Sequence, residues 1–347
     1  YSIAFTGSGT WIGGFDKVFL LGITPDSMAE TFSAGVVIPE FVFVAFQATF
    51  AVLSSVLGVC CFVLRMKFAA VLVSMVLCFT FAYLPIARMV WYTEGFMFQL
   101  GALDFAGGTV VHMTSGWSAL VLCMILGKRL GFGKEQMAPH SMVLCMIGTG
   151  MLWVGWYGFN AGSALGADAI ASNAFTTTTL AAATAGLAWA ASEWLFKGKP
   201  SVLGFCSGIV AGLVVITPGA GFVTATSSVI IGVLAGVIPF FAVAYLKKML
   251  GYDDALDTFG VHGVGGTLGA LLTGVFADEK ANSVVGPLKD GLLMEQFKAV
   301  GLTIVWSVVA TAIIAYAIKF VIGLRPDPEI ETAGLDLAEH GEQGYEH

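Results

Sequence analysis

The chain has 347 residues, of which 57% are hydrophobic and only 11% are charged, and its formal net charge is −7. Soluble domains carry about 25% charged residues, so the composition excludes an ordinary water-soluble fold and indicates an integral membrane protein. Seven of the 23 acidic residues follow position 326, and no basic cluster indicates a nucleic-acid partner.

Apolar runs along the chain predict the membrane-spanning helices. A helix needs about 20 apolar residues to cross a hydrocarbon layer of about 30 Å. Nine runs reach that length, namely 37–64, 68–91, 105–127, 141–164, 169–195, 202–222, 225–246, 258–277 and 299–322. The run over residues 1–13 is shorter, so we expect the sequence to begin partway through a helix. The pattern predicts one transmembrane domain over residues 1–322 and a polar tail over residues 323–347.

The basic residues predict how these helices are oriented. Alternate connections carry 11 Lys and Arg residues, whereas the connections on the opposite side carry 5. Cytoplasmic connections of membrane proteins are enriched in Lys and Arg. We therefore expect a multi-pass protein of the plasma (inner) membrane, with the C-terminal tail in the cytoplasm.

A short sequence is repeated in two of the predicted spans. Residues 102–104 read ALD and are followed by His112, and residues 255–257 read ALD again and are followed by His262. The span count directs the first helix inward and the second outward. Related segments of opposite direction are typical of an inverted repeat, whose shared site lies near the bilayer midplane.

Each repeat also has a carboxylate before the predicted helix start. Asp104 and Asp257 are expected to accept hydrogen bonds from free N–H groups there and to complement the helix dipole. We predict a structural role for both.

His112 and His262 are the ionisable side chains that lie deepest in the predicted spans. Such residues are costly in a membrane and usually functional. Three interpretations remain open at this point: two separate core histidines, part of a metal site, or a facing pair. A metal site needs three or four ligands, and no Cys, Asp or Glu accompanies the histidines at that depth. Paired neutral imidazoles can bind each other and a small polar solute.

Aromatic residues recur at helical spacing in the same part of the sequence. Phe46 and Phe50 are four residues apart, as are Phe159 and Ser163, so each pair shares a helix face. Trp156 precedes Phe159, and Trp91 ends a span on the predicted outer side. These rings are either lipid-facing and interfacial aromatics, or the faces of a cation site.

Taken together, these motifs resemble the ammonium transporter family (Amt/Mep, with the Rh proteins as distant relatives). The matching stretches are AFQATF at 45–50, IARMVW at 86–91, GALDFAGGTVVH at 101–112, GWYGFNAGSA at 155–164 and DTFGVHG at 257–263. The resemblance extends over essentially the whole chain and into the tail.

The resemblance implies an all-α membrane protein with an inverted five-plus-five helix repeat and a trimer with one pore in each subunit. Members of the family normally have eleven helices, and the first helix and half of the second are absent from this sequence. A partial sequence, or a polypeptide divided among chains, is therefore expected. No cofactor is expected.

The resemblance also implies a role for each candidate residue. Trp91, Phe50 and Ser163 would form an outer recruitment site for NH4+, with Phe46 beside it. Below that site, Phe50 and Phe159 would stack as a gate. The hydrogen-bonded pair His112 and His262 would line the pore, with Trp156 next to it. Trp91 and Ser163 favour the Amt/Mep branch over the Rh proteins.

The function that follows is recruitment and deprotonation of NH4+ and conduction of NH3, with or without separate proton transfer. An ammonium sensor that uses the same fold is the alternative. A membrane enzyme is the third candidate, although no nucleophile or metal set supports it. The resemblance further suggests that the tail contacts a neighbouring subunit and couples it to a PII-type regulatory protein.

Overall fold

Long helices joined by short connections make up most of the chain. The computed structural model describes residues 1–31, 35–135 and 137–343. The α-helices are α1 (Ser2–Phe5), α2 (Glu40–Cys60), α3 (Phe68–Cys78), α4 (Leu84–Trp91), α5 (Phe96–Gln99), α6 (Thr114–Leu126), α7 (Met142–Asn160), α8 (Ala169–Lys197), α9 (Val202–Ile216), α10 (Ala225–Phe241), α11 (Lys247–Leu250), α12 (Gly265–Phe276), α13 (Leu292–Val321) and α14 (Pro328–Ala333).

Shorter elements extend or connect these helices. The π-helical segments are Phe79–Tyr83, Gly108–Met113, Ala242–Leu246, Phe259–Val264 and Asp336–His340, and the 3-10 segments are Val18–Leu20, Ala161–Ala164 and Ser283–Leu288. The strands are β1 (Met28–Glu30) and β2 (Val37–Pro39), which pair antiparallel and place Ala29 opposite Ile38.

The helices confirm a multi-pass membrane fold. Seven continuous segments of the described chain are long and apolar enough to cross a bilayer. Helix α8 and the shorter apolar helix α9 lie where two further spans are predicted. Eight of the nine predicted runs start within three residues of a helix or helical segment, while α13 begins at Leu292, seven residues before its predicted run. Polar residues such as Gln296, which is 1% exposed, lower the hydropathy of residues 292–298. The first two turns of α13 were therefore not predicted as part of the span.

The two histidine-bearing segments cross at glycine residues. A Cβ added to Gly116 would lie 2.1 Å from the backbone nitrogen of Gly263, and one added to Gly266 would lie 3.0 Å from the backbone nitrogen of Met113. The two contacts are related by the repeat. Gly266 lies 150 positions after Gly116, and Gly263 lies 150 positions after Met113, which is also the separation of the two histidines. Small residues allow such close approach of membrane helices. The crossing places both histidines at one point of the bundle.

Candidate functional site

The two histidines face each other inside the bundle. Nδ1 of His112 and Nδ1 of His262 are 3.1 Å apart, within hydrogen-bonding distance. Their exposed fractions are 0% and 8%. Each histidine lies in a π-helical segment, a wider turn that is often found at functional sites. The sequence predicted that the pair would meet, and the structure brings it together.

This geometry determines what the pair offers to a solute. Between two neutral imidazoles, one Nδ1 donates and the other accepts, so one remaining Nε2 is an acceptor and the other carries a proton. Nε2 of His112 is buried and has no hydrogen-bond partner within the described part of the chain. A buried polar atom without a partner is costly, and a small solute that hydrogen-bonds to it would remove that cost.

Aromatic rings lie against the first histidine. The centroid of Trp156 lies 5.4 Å from that of His112 with an interplanar angle of 14°, and the centroid of Phe159 lies 5.7 Å away with an angle of 23°. The indole N–H of Trp156 donates to Thr217 Oγ1 at 2.9 Å, and Thr217 in turn lies 3.3 Å from Asn160 Oδ1. The hydrogen bond to Thr217 fixes the plane of Trp156 and thereby limits rotation of the imidazole.

Two phenylalanines contact each other next to His112. The rings of Phe50 and Phe159 have centroids 4.6 Å apart and an interplanar angle of 72°. The prediction that they stack was therefore wrong in orientation, since they meet edge to face. The ring quadrupole favours this arrangement over a face-to-face stack. Phe50 is only 1% exposed.

The predicted recruitment residues surround Phe50. Its ring centroid lies 5.2 Å from that of Trp91 and 4.8 Å from that of Phe46. Phe46 also packs against Gly162, the residue before Ser163. The hydroxyl of Ser163 donates to the carbonyl oxygen of Phe159 at 2.8 Å, which leaves its own oxygen free to accept a hydrogen bond. The four residues thus place three aromatic rings and one acceptor around one region.

The first carboxylate has the structural role that the sequence predicted. Asp104 accepts the backbone N–H groups of residues 107, 108, 109 and 110 at 2.7–3.1 Å, and also the hydroxyl of Thr109. Its own carbonyl oxygen accepts the indole N–H of Trp91 at 2.9 Å. Asp104 therefore joins the start of the His112 helix to the rings of Trp91, Phe50 and Phe46, which we call the outer aromatic group after the side predicted for them.

The second carboxylate does not have the predicted role. Asp257 pairs with Lys247 at 2.7 Å, and its φ of +59° lies in the left-handed region, whereas a helix-capping residue needs extended backbone. Asp254 Oδ2 instead accepts the N–H of Phe259 at 2.6 Å. The prediction that Asp257 caps the helix was wrong, because the repeated letters ALD do not mark equivalent positions.

No group of three or more His, Cys, Asp and Glu side chains in the described ranges could hold a metal ion. The geometry is instead an aromatic group, an edge-to-face ring pair and a histidine pair in contact with one another. The chain matches the model of the Ammonium Transporter Family over residues 1–345. This chain belongs to the ammonium transporter family.

Relatives in all three domains of life support that assignment. The chain is 43% identical to the ammonium transporter of Bacillus subtilis, with 100% of this chain and 85% of the relative covered. It is 38% identical to the ammonium transporter Amt1 of Archaeoglobus fulgidus, with 99% of this chain and 85% of the relative covered. Its fold matches the crystal structure of Saccharomyces cerevisiae Mep2 with a TM-score of 0.85 and 36% identity, over 94% of this chain and 78% of Mep2.

One structural neighbour has a different description. A sensor Amt protein matches with a TM-score of 0.88 and 28% identity, over 98% of this chain and 84% of that protein. Members of the fold thus include proteins described as transporters and one described as a sensor.

Sequence reasoning missed three residues of this ammonium-transporter-family site. Asn160 and Thr217 carry the hydrogen-bond network behind Trp156, and Asp254 accepts from the second helix start. The polar side chain of Asn160 inside the apolar stretch 155–164 could have indicated a buried hydrogen-bond network there. Asp254 could have been found from its distance to His262, which is eight residues, as Asp104 is from His112.

Proposed function

We propose that this protein moves ammonium across a membrane by binding NH4+ at the outer aromatic group, removing a proton and conducting NH3 past the histidine pair. The observation that carries the proposal is the buried pair His112 and His262. The Nε2 atom of His112 has no hydrogen-bond partner among the described residues, and its ring lies against Phe159, which contacts Phe50.

The outer group would recruit the cation. The ring faces of Trp91, Phe50 and Phe46 attract a cation by about 0.5–2 kcal/mol, and Ser163 would accept one of its N–H bonds. NH4+ is distinguished from K+ of similar size because it can form directed hydrogen bonds and can lose a proton.

The ring pair and the histidines would then act on the solute in turn. An apolar passage opposes a bare ion because desolvation of a charge is very costly. Phe50 belongs to the outer group and contacts Phe159, which in turn lies against His112. An ion that passed these rings to His112 would lose its water shell there. NH3 crosses this barrier at much lower cost, and the imidazole nitrogens of His112 and His262 would replace its hydrogen bonds to water.

A reconstituted full-length protein tests this function. Proteoliposomes given an ammonium gradient should show an ammonium-induced current or an NH3 flux above that of empty vesicles. Neither signal in a folded preparation would refute transport. The sensor alternative rests on the similarity to a sensor Amt protein, and restored growth of a transport-deficient cell on low ammonium would count against a pure sensor.

We further propose that the protein is a transporter without catalytic chemistry and a homotrimer with one pore in each subunit, in the plasma (inner) membrane. The transmembrane part would comprise residues 1–322, and residues 323–347 would form a cytoplasmic regulatory tail. Cross-linking in native membranes would test the trimer, and protease accessibility of the tail in sealed vesicles would test its side.

The tail has contacts suited to regulation. Arg325 makes two hydrogen bonds to the carboxylate of Glu331 at 2.7 and 2.8 Å, and Glu331 also accepts the N–H of Leu130. Glu339 accepts the N–H of Phe68 at 2.5 Å, and His340 lies edge to face on the ring of Phe68. A PII-type protein that displaced the tail would change what holds the inner ends of α3 and α6. Residues 344–347 lie outside the described residues.

A further inference from the structure

The two histidine segments begin on buried carboxylates in equivalent positions. Asp254 precedes His262 by eight residues, as Asp104 precedes His112. Oδ2 of Asp254 accepts the N–H of the fifth residue after it at 2.6 Å, and Oδ2 of Asp104 accepts the N–H of the fifth residue after it at 2.8 Å. In the inverted repeat, each carboxylate therefore anchors the helix start that positions one histidine.

The two carboxylates differ in how well they are satisfied. Both oxygens of Asp104 accept hydrogen bonds, from four N–H groups and one hydroxyl. Asp254 is 0% exposed, and its Oδ1 has no hydrogen-bond partner within the described ranges. An ionised carboxylate is stable in a protein interior only when it is well hydrogen-bonded or paired. Asp254 is therefore the weaker of the two anchors when it is charged.

The neighbouring cations do not neutralise this carboxylate directly. Lys247 donates to the backbone carbonyl of Asp254 at 2.6 Å and to the side chain of Asp257 at 2.7 Å. Arg65 pairs with the preceding residue, Asp253. The titratable side chains whose charges interact with the Asp254 carboxyl are Lys247, Tyr252, Asp257, Cys60, Cys61 and Cys123.

We propose that Asp254 is a positioning residue for His262, and that loss of its proton loosens the start of the His262 helix at the inner end of the pore. The neutral acid is buried at modest cost, and its oxygen still accepts from Phe259. The carboxylate gains by moving into water or towards Lys247, and such a movement releases the N–H of Phe259 three residues before His262.

The direction of the pH effect follows from the burial. Burial, together with the negative charge of Asp257, raises the pKa of the Asp254 carboxyl from its ordinary value of 3.8 to about 6. A solvated Asp254 would have the ordinary pKa, so the buried arrangement binds the proton more tightly. Linkage then requires that low pH favours the buried, anchored state and that a rise of pH through about 6 favours the loosened state.

Hydrogen exchange of the folded protein tests the loosening without any transport. Wild type, Asp254→Asn and Asp257→Asn would be compared at pH 5 and pH 7.5, with rates corrected for the intrinsic pH dependence of exchange. In the wild type, peptides covering residues 257–263 should lose protection by about tenfold between the two values, the change expected from the shift of pKa. Peptides covering residues 105–113 should not change in this way.

The variants separate ionisation from packing. Asp254→Asn keeps the shape and the acceptor oxygen but cannot ionise, so its protection should not depend on pH. Asp257→Asn removes a negative charge that raises the pKa of Asp254. Its protection should therefore still depend on pH, with the midpoint of the change at a lower pH than in the wild type. The proposal is overturned if the wild type shows no pH dependence over residues 257–263, or if Asp254→Asn keeps that of the wild type.

A transport readout links the anchor to the pore, and it rests on the proposed function. With the lumen buffered at values from pH 5 to pH 8 and the outer solution held constant, the ratio of Asp254→Asn flux to wild-type flux should change around pH 6. The ratio of Asp257→Asn flux to wild-type flux should change by less. A constant Asp254→Asn ratio would overturn control of the pore by Asp254. Absence of flux from all three proteins would instead refute the proposed function. The hydrogen-exchange experiment would still show whether ionisation of Asp254 loosens the start of the His262 helix.

Discussion

His112 and His262 are 150 positions apart in the sequence, and their Nδ1 atoms lie 3.1 Å apart in the structure. The contact depends on the glycines at the crossing of the two helices, because side chains there would keep the backbones apart. It also depends on one carboxylate at the start of each helix. The inverted repeat thus joins two buried imidazoles into one polar site in an apolar bundle.

The outer aromatic group should set the affinity for ammonium. Trp91→Leu removes a ring face, and we expect its half-saturating ammonium concentration to rise by about 2- to 30-fold, which corresponds to about 0.5–2 kcal/mol. Trp91→Phe is the matched variant, because it keeps a ring while losing the hydrogen bond to Asp104. Initial rates over a range of ammonium concentrations measure the effect. Equal affinity for Trp91→Leu and wild type would remove Trp91 from the recruitment site.

The ring pair should exclude ions. Phe159→Ala deletes a side chain that contacts Phe50, His112 and Trp156, and we expect the variant to admit water and to conduct K+. Phe175→Ala is the control, because Phe175 is 47% exposed and its ring lies on Tyr157, away from the histidines. Potassium conductance in proteoliposomes distinguishes the two. An ion-tight Phe159→Ala variant that still transports ammonium would contradict a gating role.

The carboxylate at the first helix start should matter for stability. Asp104→Asn leaves one acceptor oxygen where two oxygens accept five hydrogen bonds, and we expect a loss of about 1–3 kcal/mol. Asp257→Asn removes a partly exposed ion pair, which is worth at most about 1 kcal/mol. In thermal unfolding in detergent, Asp104→Asn should have a clearly lower unfolding temperature than Asp257→Asn. The reverse order of unfolding temperatures would show that Asp104 does not support the helix start.

The tail should influence transport without holding the fold together. Deletion of residues 326–347 removes Glu331 and Glu339, the partners of Arg325 and of the α3 start, and we expect lower flux or a lost response to a PII-type protein. Size-exclusion chromatography should show an unchanged oligomer. Unchanged flux together with an unchanged response would exclude regulation by the tail.

The sequence predicted the course of the chain better than the detail of the site. Hydropathy locates the spans because about twenty apolar residues are needed to cross a bilayer, and eight of the nine predicted runs start within three residues of a helix or helical segment. Equivalent positions of the repeat were harder to find, since ALD recurs three residues too late for Asp257 to match Asp104. Backbone conformation decides which carboxylate reaches the helix start, and letters alone do not contain the φ of +59° at Asp257.

Ring geometry and long-range partners were also beyond the sequence. The spacing of Phe46 and Phe50 gives a shared helix face, but the edge-to-face contact of Phe50 with Phe159 depends on how α2 and α7 pack. The bond between Trp156 and Thr217 joins residues on α7 and just after α9, and periodicity within one helix says nothing about such a pair.

The histidine pair should determine whether a charge crosses the membrane together with NH3. Ammonium current and NH3 flux should be measured in parallel for the wild type, His112→Ala and His262→Ala, with His140→Ala in the exposed connection after α6 as the control. Both pore variants should change the ratio of charge to NH3 transported, whereas His140→Ala should keep the wild-type ratio. An identical ratio in all four proteins would show that His112 and His262 are packing residues and do not select the species that crosses.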